Sequence, residues 1–512
     1  MLFSRRGRVF LPSLFLMTNW AFAQSSPAFH FPEPRGPEDV GLKVVEQYDR
    51  TRVFRGTTDE LGKPTTGERA RPLQTLIWYP AGKSSGAPMT IGDYVQLRAT
   101  ETAFGNTQPA PDPKDSGLGT ALEERMWSVR DAPVKAGHFP VVIYAPSFSS
   151  ESWENADLCE YLASYGYVVV ASPDMGARTR DMTPDVPGID AQARDILFLI
   201  GFAQSLPDTE MSEVAVGGYS WGGISNLFAA ARDNRIHALF ALDGSMRYFP
   251  ALVKKAEVHP DKLTIPLLYF TQGEISLEEQ AHIGEEGAEP APNVLNEWTH
   301  GDLIKVDMMG MNHGEFSSMT QRSERFWKRF PTMQKADYGR ADGMAGFGWV
   351  ARYTLRFLDA YLKHDAGAME FLKKTPAENG VPPHFIAASF RAASGTVVSL
   401  DGFREELNRQ GFDHAAEIYA AMQKQDSSFK LGEDFVNAWG YDLLLSQHLP
   451  EAIGIFKLNV AQHPDSGNAL DSLAEGYMKA GQKPQAIEFY KKSLEKDPSN
   501  DHAKEKLKEL GG

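Results

Sequence analysis

Cysteine is nearly absent from this 512-residue chain, and basic residues are fewer than acidic ones. The one cysteine, Cys159, excludes an intramolecular disulfide framework and any zinc or iron–sulfur site built from several thiolates. The chain holds 52 Lys and Arg against 67 Asp and Glu, a formal net charge of -15. Because a nucleic-acid partner needs a basic face for its phosphates, this charge argues against binding of DNA or RNA.

Motifs for metal, nucleotide and dinucleotide sites are also missing. The sequence contains no H-E-x-x-H, no glycine-rich loop that ends in Gly-Lys-Ser/Thr, and no G-x-G-x-x-G after a strand pattern. We therefore predict a protein that works without a metal ion or an organic cofactor. Hydrophobic residues make up 42% of the chain and charged residues 23%, which is typical of a globular protein and not of a disordered one.

An apolar stretch at the N-terminus has the pattern of a secretory signal peptide. Three arginines within the first eight residues precede a short apolar segment that ends in Ala21-Phe22-Ala23, an A-x-A site. A membrane anchor would need about 20 apolar residues, so we expect no membrane span here, and no other stretch approaches that length. We expect cleavage of residues 1–23 near Ala23 and Gln24. The mature protein would then be soluble, and periplasmic or secreted from a bacterium.

Short β-rich runs alternate with helical patterns between about residues 40 and 370. Runs at 40–49 and 73–79 predict an antiparallel pair of strands. Further runs follow at 139–145, 167–172, 213–216, 236–242, 265–271 and 303–308. Continuously apolar runs are typical of parallel strands that helices cover on both faces, and helical patterns lie between them. The predicted fold class is therefore α/β, a mostly parallel sheet with helices on both faces.

Two segments rich in proline and glycine, 81–133 and 273–299, interrupt this alternation. Long loops in a compact domain are lids, binding loops or disordered segments, and the sequence leaves these alternatives open. A helical pattern at 349–372 closes the domain, and TPAENGVPP at 375–383 indicates a linker. The predicted organisation is a signal peptide at 1–23, an α/β domain at 24–374, a linker at 375–400 and a small all-α domain at 401–512.

A 34-residue period marks the C-terminal domain. Three pairs of positions repeat at this spacing: Ala452 and Ala486, Phe456 and Tyr490, and Pro464 and Pro498. Small, aromatic and proline positions in this order resemble the tetratricopeptide repeat, which is a pair of helices. Two repeats are too few for a long binding groove. The pattern therefore leaves two roles open, binding of a protein partner and packing or self-association.

The pattern of a catalytic serine lies in the middle of the α/β domain. Residues 213–223 read EVAVGGYSWGG, in which an apolar strand leads into Ser220 and a helical pattern follows. This is the G-x-S-x-G motif in the strand–turn–helix context that holds a serine in a strained turn. Glycine at 218 and 222 leaves room for that turn. A bare G-x-S-x-G is common by chance, but the context favours Ser220 as a nucleophile.

A serine nucleophile needs a base, and in this type of turn the acid and the base follow it in the chain. Four histidines lie between Ser220 and the linker: His237, His282, His300 and His313. His237 falls inside a strand run, His282 in the 273–299 segment, and His300 before the last strand run. His313 follows that last run directly, so a parallel sheet brings it to the edge where Ser220 lies. We predict His313 as the base.

Two carboxylates remain open as the acid that orients the base. Asp243 follows the strand run at 236–242, in ALDG, and Glu274 follows the next run, in TQGE. Both positions lie at the carboxyl ends of predicted parallel strands, and either side chain would reach His313. The sequence by itself does not separate them.

These segments together resemble a known family. RPLQTLIWYP (71–80), YGYVVVASPD (165–174), GGYSWGG (217–223), ALDGSMRYFP (241–250) and MNHGEF (311–316) are similar to segments of plasma-type platelet-activating factor acetylhydrolases and nearby dienelactone-hydrolase-like esterases. The resemblance implies an α/β-hydrolase fold for residues 24–374, a small-molecule ester as substrate, and Asp243 as the acid. Dienelactone hydrolases proper use a cysteine nucleophile, so the presence of Ser220 means that their own reaction is not implied.

The sequence departs from that family at the loop that would help to hold the oxyanion. The family often has His-Gly after the strand that precedes this loop, whereas 139–145 is followed here by Pro146-Ser147-Phe148. Proline has no N–H to donate. We therefore predict that the backbone N–H groups of Phe148 and Trp221 hold the oxyanion.

The leading prediction is an exported serine hydrolase that cleaves carboxylic esters through an acyl-enzyme. Two alternatives stay open, an exported peptidase of the same fold and a scaffold protein whose repeats recruit a partner. A charged cluster after the strand at 167–172 is interpreted as a solvated loop: Asp174, Arg178, Arg180 and Asp181.

Overall fold

The computed structural model describes residues 28–58, 61–104, 112–273, 293–329 and 338–511. These residues form one 11-stranded sheet, helices on its two faces, and a C-terminal set of helices. The strands are β1 (Asp39–Val53), β2 (Ala70–Ala81), β3 (Pro88–Thr90), β4 (Arg125–Arg130), β5 (Phe139–Ala145), β6 (Val168–Ala171), β7 (Thr209–Tyr219), β8 (Ile236–Leu242), β9 (Leu267–Gln272), β10 (Leu303–Met308) and β11 (Ile386–Arg391). The predicted fold class, α/β followed by a helical region, is confirmed.

The strand order in the sheet is β11-β10-β9-β8-β7-β5-β6-β2-β1-β4-β3. Six central strands, β6, β5 and β7 to β10, run parallel to one another. Strands β1 and β2 form the predicted antiparallel pair, and β2 joins β6 in antiparallel orientation. The carboxyl ends of the central strands therefore share one edge of the sheet, where α/β folds place their functional groups.

Both faces of the central strands are buried, and ten helices belong to this part of the described chain. They are α1 (Ile91–Gln96), α2 (Ala156–Ser164), α3 (Val186–Ala203), α4 (Trp221–Ala230), α5 (Pro250–Lys255), α6 (Val294–Glu297), α7 (Ser318–Arg322), α8 (Glu324–Arg329), α9 (Arg340–Leu362) and α10 (Ala366–Lys373). Alternate residues of β5 enter two separate cores, Val142 and Tyr144 one of them and Val141 and Ile143 the other. Burial on both faces explains why the central strands read as continuous apolar runs.

Part of the predicted linker at 375–400 belongs to the sheet, so that interpretation is wrong for these residues. Strand β11 lies within it and pairs antiparallel with β10, with Ile386 opposite Met308. Its sequence, IAASFR, is short and mixes apolar with polar residues because an edge strand is only half covered. Such a strand lacks the continuous apolar signal of the central ones.

The predicted excursion at 81–133 contributes to the sheet as well. Its described residues include β3, α1 and β4, and β4 pairs in parallel with β1. Residues 105–111 of this segment lie outside the described residues, as do 274–292 of the second excursion. The three alternatives for that second segment, a lid, a binding loop or a disordered segment, therefore stay open.

The C-terminal helices are α11 (Leu400–Gln410), α12 (Ala415–Gln425), α13 (Glu433–Leu445), α14 (Leu449–Gln462), α15 (Gly467–Lys479), α16 (Lys483–Lys496) and α17 (Asp501–Leu510). The pair α13 and α14 is followed, 34 residues later, by the pair α15 and α16, because Glu433 to Gly467 and Leu449 to Lys483 are both steps of 34. The repeating small and aromatic residues are fully buried within these pairs. The tetratricopeptide assignment itself stays a prediction. In the described part of the chain, no helix combines the length and apolar character needed to cross a membrane.

Candidate active site

The turn that carries Ser220 joins β7 directly to α4. Ser220 has φ 53° and ψ -115°, a strained conformation with positive φ that costs a non-glycine residue about 1–3 kcal/mol. Glycine is required at positions 218 and 222 because the turn lies very close to the end of β5. A Cβ on Gly218 would lie 2.3 Å from the carbonyl oxygen of Ala145, and one on Gly222 would lie 2.1 Å from the same atom. The serine is thus held at the tip of a strained turn against the neighbouring strand.

His313 lies at the start of a single helical turn, His313–Phe316, that follows β10. Its Nε2 is 2.9 Å from Oγ of Ser220. The backbone on both sides of the ring is anchored, since the His313 N–H donates to Oε1 of Gln272 and its carbonyl accepts from the Tyr219 hydroxyl, each at 2.8 Å. These contacts fix the imidazole beside the serine.

Asp243 follows β8 and is fully buried. Its Oδ2 lies 2.6 Å from Nδ1 of His313. Its Oδ1 accepts from the Tyr248 hydroxyl at 2.9 Å and from the Gln272 N–H at 3.3 Å. A carboxylate beside Nδ1 favours the imidazole tautomer that carries its hydrogen there. The lone pair of Nε2 then faces the Ser220 hydroxyl, which is the arrangement a general base needs.

The structure brings Ser220, His313 and Asp243 together and leaves two of the other histidines elsewhere. His237 is exposed on β8, and Nδ1 of His300 lies 3.4 Å from the Gly395 carbonyl oxygen. His282 and Glu274, the other carboxylate that the sequence left open, lie outside the described residues. Among the described residues, Asp243 is the carboxylate that contacts His313.

Between Ser147 and Ser150, in the loop after β5, one backbone N–H has no acceptor in the described part of the chain. The N–H of Ser147 donates to Glu154, that of Ser149 to Asp174, and that of Ser150 to the Ser147 carbonyl, at 2.8, 2.8 and 2.9 Å. Within the described residues the Phe148 N–H has no acceptor. Phe148 is therefore the available backbone donor between Ser147 and Ser150.

Trp221 supplies the second free N–H. It is the first residue of α4, so its N–H has no acceptor within the helix. The Phe148 ring packs edge-on against the Trp221 ring, with 5.4 Å between the centroids. The two residues predicted to hold the oxyanion are thus neighbours beside Ser220, and their role stays a prediction.

Among the residues that support the site, Tyr248 and Gln272 were not singled out from the sequence. Tyr219, Tyr248 and Gln272 hold the histidine and the aspartate, as described above. The solvated-loop interpretation is wrong for Asp174, which is fully buried, and for Arg180, which donates to the Asp174 carbonyl at 2.8 Å. The available signal was that Asp174 follows an apolar strand run, as Asp243 does.

Two buried carboxyl groups lie behind the loop after β5. Burial is the main cause that raises the pKa of Glu154 to about 7, although three hydrogen bonds from Ser147 and Ser150 act in the opposite direction. Burial also raises the pKa of Asp174 well above its usual range. Both side chains are shielded from solvent, with exposed fractions of 7% for Glu154 and 0% for Asp174. N–H donors act more strongly on a developing negative charge in such surroundings.

Of three comparisons with known proteins, one gives a match. A scan against protein-family models gives no match. A search of curated proteins gives no match either. Among solved structures, the chain is similar to a ferulic acid esterase from Streptomyces cinnamoneus, with 19% identity, 71% of this chain and 99% of that chain covered, and a TM-score of 0.49. Nothing about this chain is argued from a likeness at this level, and the chemistry of the site rests on its own residues.

Proposed function

We propose that this chain is a serine hydrolase that cleaves carboxylic esters through an acyl-enzyme. The observation that carries the proposal is the hydrogen-bonded series from Oγ of Ser220 through His313 to Asp243, with distances of 2.9 and 2.6 Å. The strained turn at Ser220 and the two free N–H groups beside it support the same chemistry.

The reaction follows from this geometry. Nε2 of His313 accepts the hydroxyl proton while Oγ of Ser220 attacks the ester carbonyl carbon. The carbonyl oxygen becomes an oxyanion that the N–H groups of Phe148 and Trp221 stabilise, and Asp243 stabilises the imidazolium. His313 then protonates the leaving alcohol, which leaves the acyl group on Ser220. Water, deprotonated by His313, attacks that acyl group and releases the acid.

The substrate class of the proposal is a small-molecule ester of the kind that acetylhydrolase-like enzymes cleave. It rests on the sequence segments that resemble that family. No metal ion or organic cofactor takes part in the proposed steps. The exposed ring of Phe148 beside the buried Trp221 offers an apolar surface for one side of the ester.

Two further parts of the proposal concern the ends of the chain. We propose export to the periplasm or the medium, based on the signal-peptide pattern of residues 1–23. We also propose that the C-terminal helices bind a protein partner or a second copy of the chain, based on their repeating pairs. Neither is needed for the chemistry of the site.

The experiment is the substitution Ser220→Ala, with hydrolysis of short-chain nitrophenyl esters as the measurement. We expect kcat to fall by about 10⁴ to 10⁶, the usual effect of losing a triad member. A fluorophosphonate probe should label the natural chain and not the variant. Ser225→Ala is the matched control, because Ser225 lies on the same helix and its buried hydroxyl has no partner in the described part of the chain.

Unchanged ester hydrolysis in Ser220→Ala would refute the proposal. Turnover of peptide amides without turnover of esters would show that the enzyme is a peptidase. A natural chain that neither reacts with the probe nor hydrolyses either substrate would favour the scaffold alternative.

A further inference from the structure

Two buried carboxylates, Glu154 and Asp174, hold the loop after β5 from behind, and we call this pair the carboxylate clamp. Glu154 accepts from the Ser147 N–H at 2.8 Å, the Ser147 hydroxyl at 2.6 Å and the Ser150 hydroxyl at 3.0 Å. Asp174 accepts from the Ser149 N–H at 2.8 Å. The exposed fractions of these two residues are 7% and 0%. Burial of two carboxyl groups is costly, and proteins accept it where those groups do something specific.

The clamp holds the residues on both sides of Phe148 and leaves the N–H of Phe148 itself free. The peptide unit that contains this N–H also contains the Ser147 carbonyl, which accepts from the Ser150 N–H at 2.9 Å. A trans peptide unit is planar, with its C=O and N–H on opposite sides. Anchoring the Ser147 carbonyl therefore fixes the direction in which the Phe148 N–H points.

The loop needs such support because it is strained. Ser149 has φ 55°, a left-handed conformation that a serine does not favour. Arg180 adds to the support, since its guanidinium donates to the Ser149 carbonyl at 3.1 Å and pairs with Glu101 at 2.8 Å. The Ser149 hydroxyl accepts from the Met182 N–H at 2.8 Å. Strained backbone persists where its surroundings hold it from several sides, as they do here.

We propose that Glu154 and Asp174 are positioning residues that aim the Phe148 N–H at the oxyanion of the proposed ester hydrolysis. The inference rests on the proposed function. Neither carboxylate touches the substrate, and both act through the backbone of the loop. Losing one of them should weaken binding of the transition state and leave binding of the intact ester almost unchanged.

The chain offers a matched control for the cost of disturbing a buried carboxylate. Glu160 on α2 is equally buried and also holds a backbone N–H, that of Trp127 at 2.6 Å, together with the Tyr94 hydroxyl at 2.7 Å. Its partners lie on β4 and α1, away from Ser220. Glu154→Met and Glu160→Met therefore make the same chemical change inside and outside the clamp.

The experiment compares these two variants in the full chain. The measurements are the thermal midpoint, kcat and KM for a short-chain nitrophenyl ester, and the affinity for a trifluoromethyl ketone. The serine oxygen attacks the carbonyl carbon of such a ketone. The ketone oxygen then becomes an oxyanion at the position that the oxyanion of the transition state occupies. We expect Glu154→Met to lower kcat by about 10- to 100-fold, less than the 10²–10³ of removing an oxyanion donor outright.

The same variant should lose ketone affinity by a similar factor and keep KM within about twofold. Glu160→Met should lower the thermal midpoint and keep kcat within about twofold. Glu154→Gln, which keeps an oxygen for the Ser147 N–H, should recover most of the kcat. Natural kcat in Glu154→Met, or a lower kcat with unchanged ketone affinity, would overturn the proposal. If Glu154→Met does not fold, Asp174→Leu removes the other carboxylate of the clamp. Natural kcat in that variant, or a lower kcat with unchanged ketone affinity, would equally overturn the proposal.

Failure of the clamp and failure of the proposed function give different results. A natural chain that reacts with the fluorophosphonate at Ser220 and hydrolyses the ester establishes the function first. Natural kcat in the clamp variants then rejects the clamp alone. A natural chain without either activity rejects both.

Discussion

Both carboxylate oxygens of Asp243 are hydrogen-bonded, and these bonds fix the orientation of the side chain. One oxygen meets His313, and the other accepts from Tyr248 and from the backbone of Gln272. The carboxylate cannot rotate without breaking one of these bonds. Its orientation, and through it the hydrogen position on the imidazole, is fixed by residues from the segment after β8, the end of β9 and the loop after β10.

The substitution Asp243→Asn should lower kcat by about 10⁴ with the protein still folded. An amide places a donor where the carboxylate accepts, which favours the imidazole tautomer that cannot take the Ser220 proton. Ester hydrolysis at saturating substrate, with circular dichroism as the folding check, measures this.

The control for that variant is Tyr248→Phe, which removes one hydrogen bond to Asp243 and should cost at most about tenfold, or roughly 1.4 kcal/mol. Glu274→Gln should mainly alter KM. The opposite pattern, with Glu274→Gln nearly inactive and Asp243→Asn nearly normal, would show that Glu274 is the acid of the triad.

At the scale of elements, the site depends on how closely α4 approaches the end of β5. Gly222 lies in the first turn of α4, where a Cβ would be 2.1 Å from the Ala145 carbonyl oxygen and 2.8 Å from that of Pro146. Both contacts are with backbone, which cannot move aside as a flexible side chain can. The helix and the loop that carries Phe148 are therefore set at a distance that only glycine permits.

Gly222→Ala should lower the free energy of unfolding by about 1–3 kcal/mol, the usual cost of overpacking, and should also lower kcat because the helix must move. Chemical denaturation and ester hydrolysis measure the two effects. Gly201→Ala is the matched control, since Gly201 lies in α3 with no atom within 4 Å of an added Cβ. That variant should be stabilised by about 0.5–1 kcal/mol with unchanged kcat. Equal losses in both variants would contradict the argument.

The central strands could be predicted from the sequence because burial on both faces leaves a continuous apolar run. The predicted bounds of β5, β8 and β10 coincide with those in the structure. Strands β3, β4 and β11 could not be predicted, because β3 and β11 are short edge strands and β4, which lies beside β3, is short and only half covered. Ser220, His313 and Asp243 could be placed near one another because each follows or ends a central strand.

The supporting residues of the site could not be found in the same way. Glu154 lies just before α2 and contacts Ser147 seven positions earlier in the chain, and Gln272 reaches the histidine across 41 positions. Neither contact leaves a pattern in the sequence. Both are determined by how the folded chain packs, which periodicity and motif spacing do not record.

For the whole molecule, three buried glutamates link stability to pH. Burial is the main cause that raises the pKa of Glu101, Glu154 and Glu160 to about 7 in the folded state, from an ordinary value of 4.5. Between these two pH values the folded chain binds more protons than the unfolded chain does. Stability therefore falls as the pH rises from 4.5 to 7, and the loss is complete above 7.

The thermal midpoint should thus be higher at pH 5 than at pH 8 at constant ionic strength. The net charge of -15 acts in the same direction, because self-repulsion of the acidic chain grows as carboxyl groups ionise. Carboxylates whose pKa is lowered, such as Glu406 at about 2, reduce stability only below about pH 4.5. Scanning calorimetry across this range is the measurement. Glu160→Gln should flatten the dependence, and a midpoint that rises from pH 5 to pH 8 would contradict it.

The edge strand β11 is synthesised after all three residues of the proposed triad. The ribosome releases Ser220, Asp243 and His313 well before Ile386, so a nascent chain can hold all three residues while β10 still has an open edge. An open edge is a template for pairing with other chains. A message truncated between residues 316 and 386 would therefore encode every residue of the proposed triad and still yield a product prone to aggregate. The sheet of the α/β domain is complete only after the ribosome has synthesised Arg391, the last residue of β11.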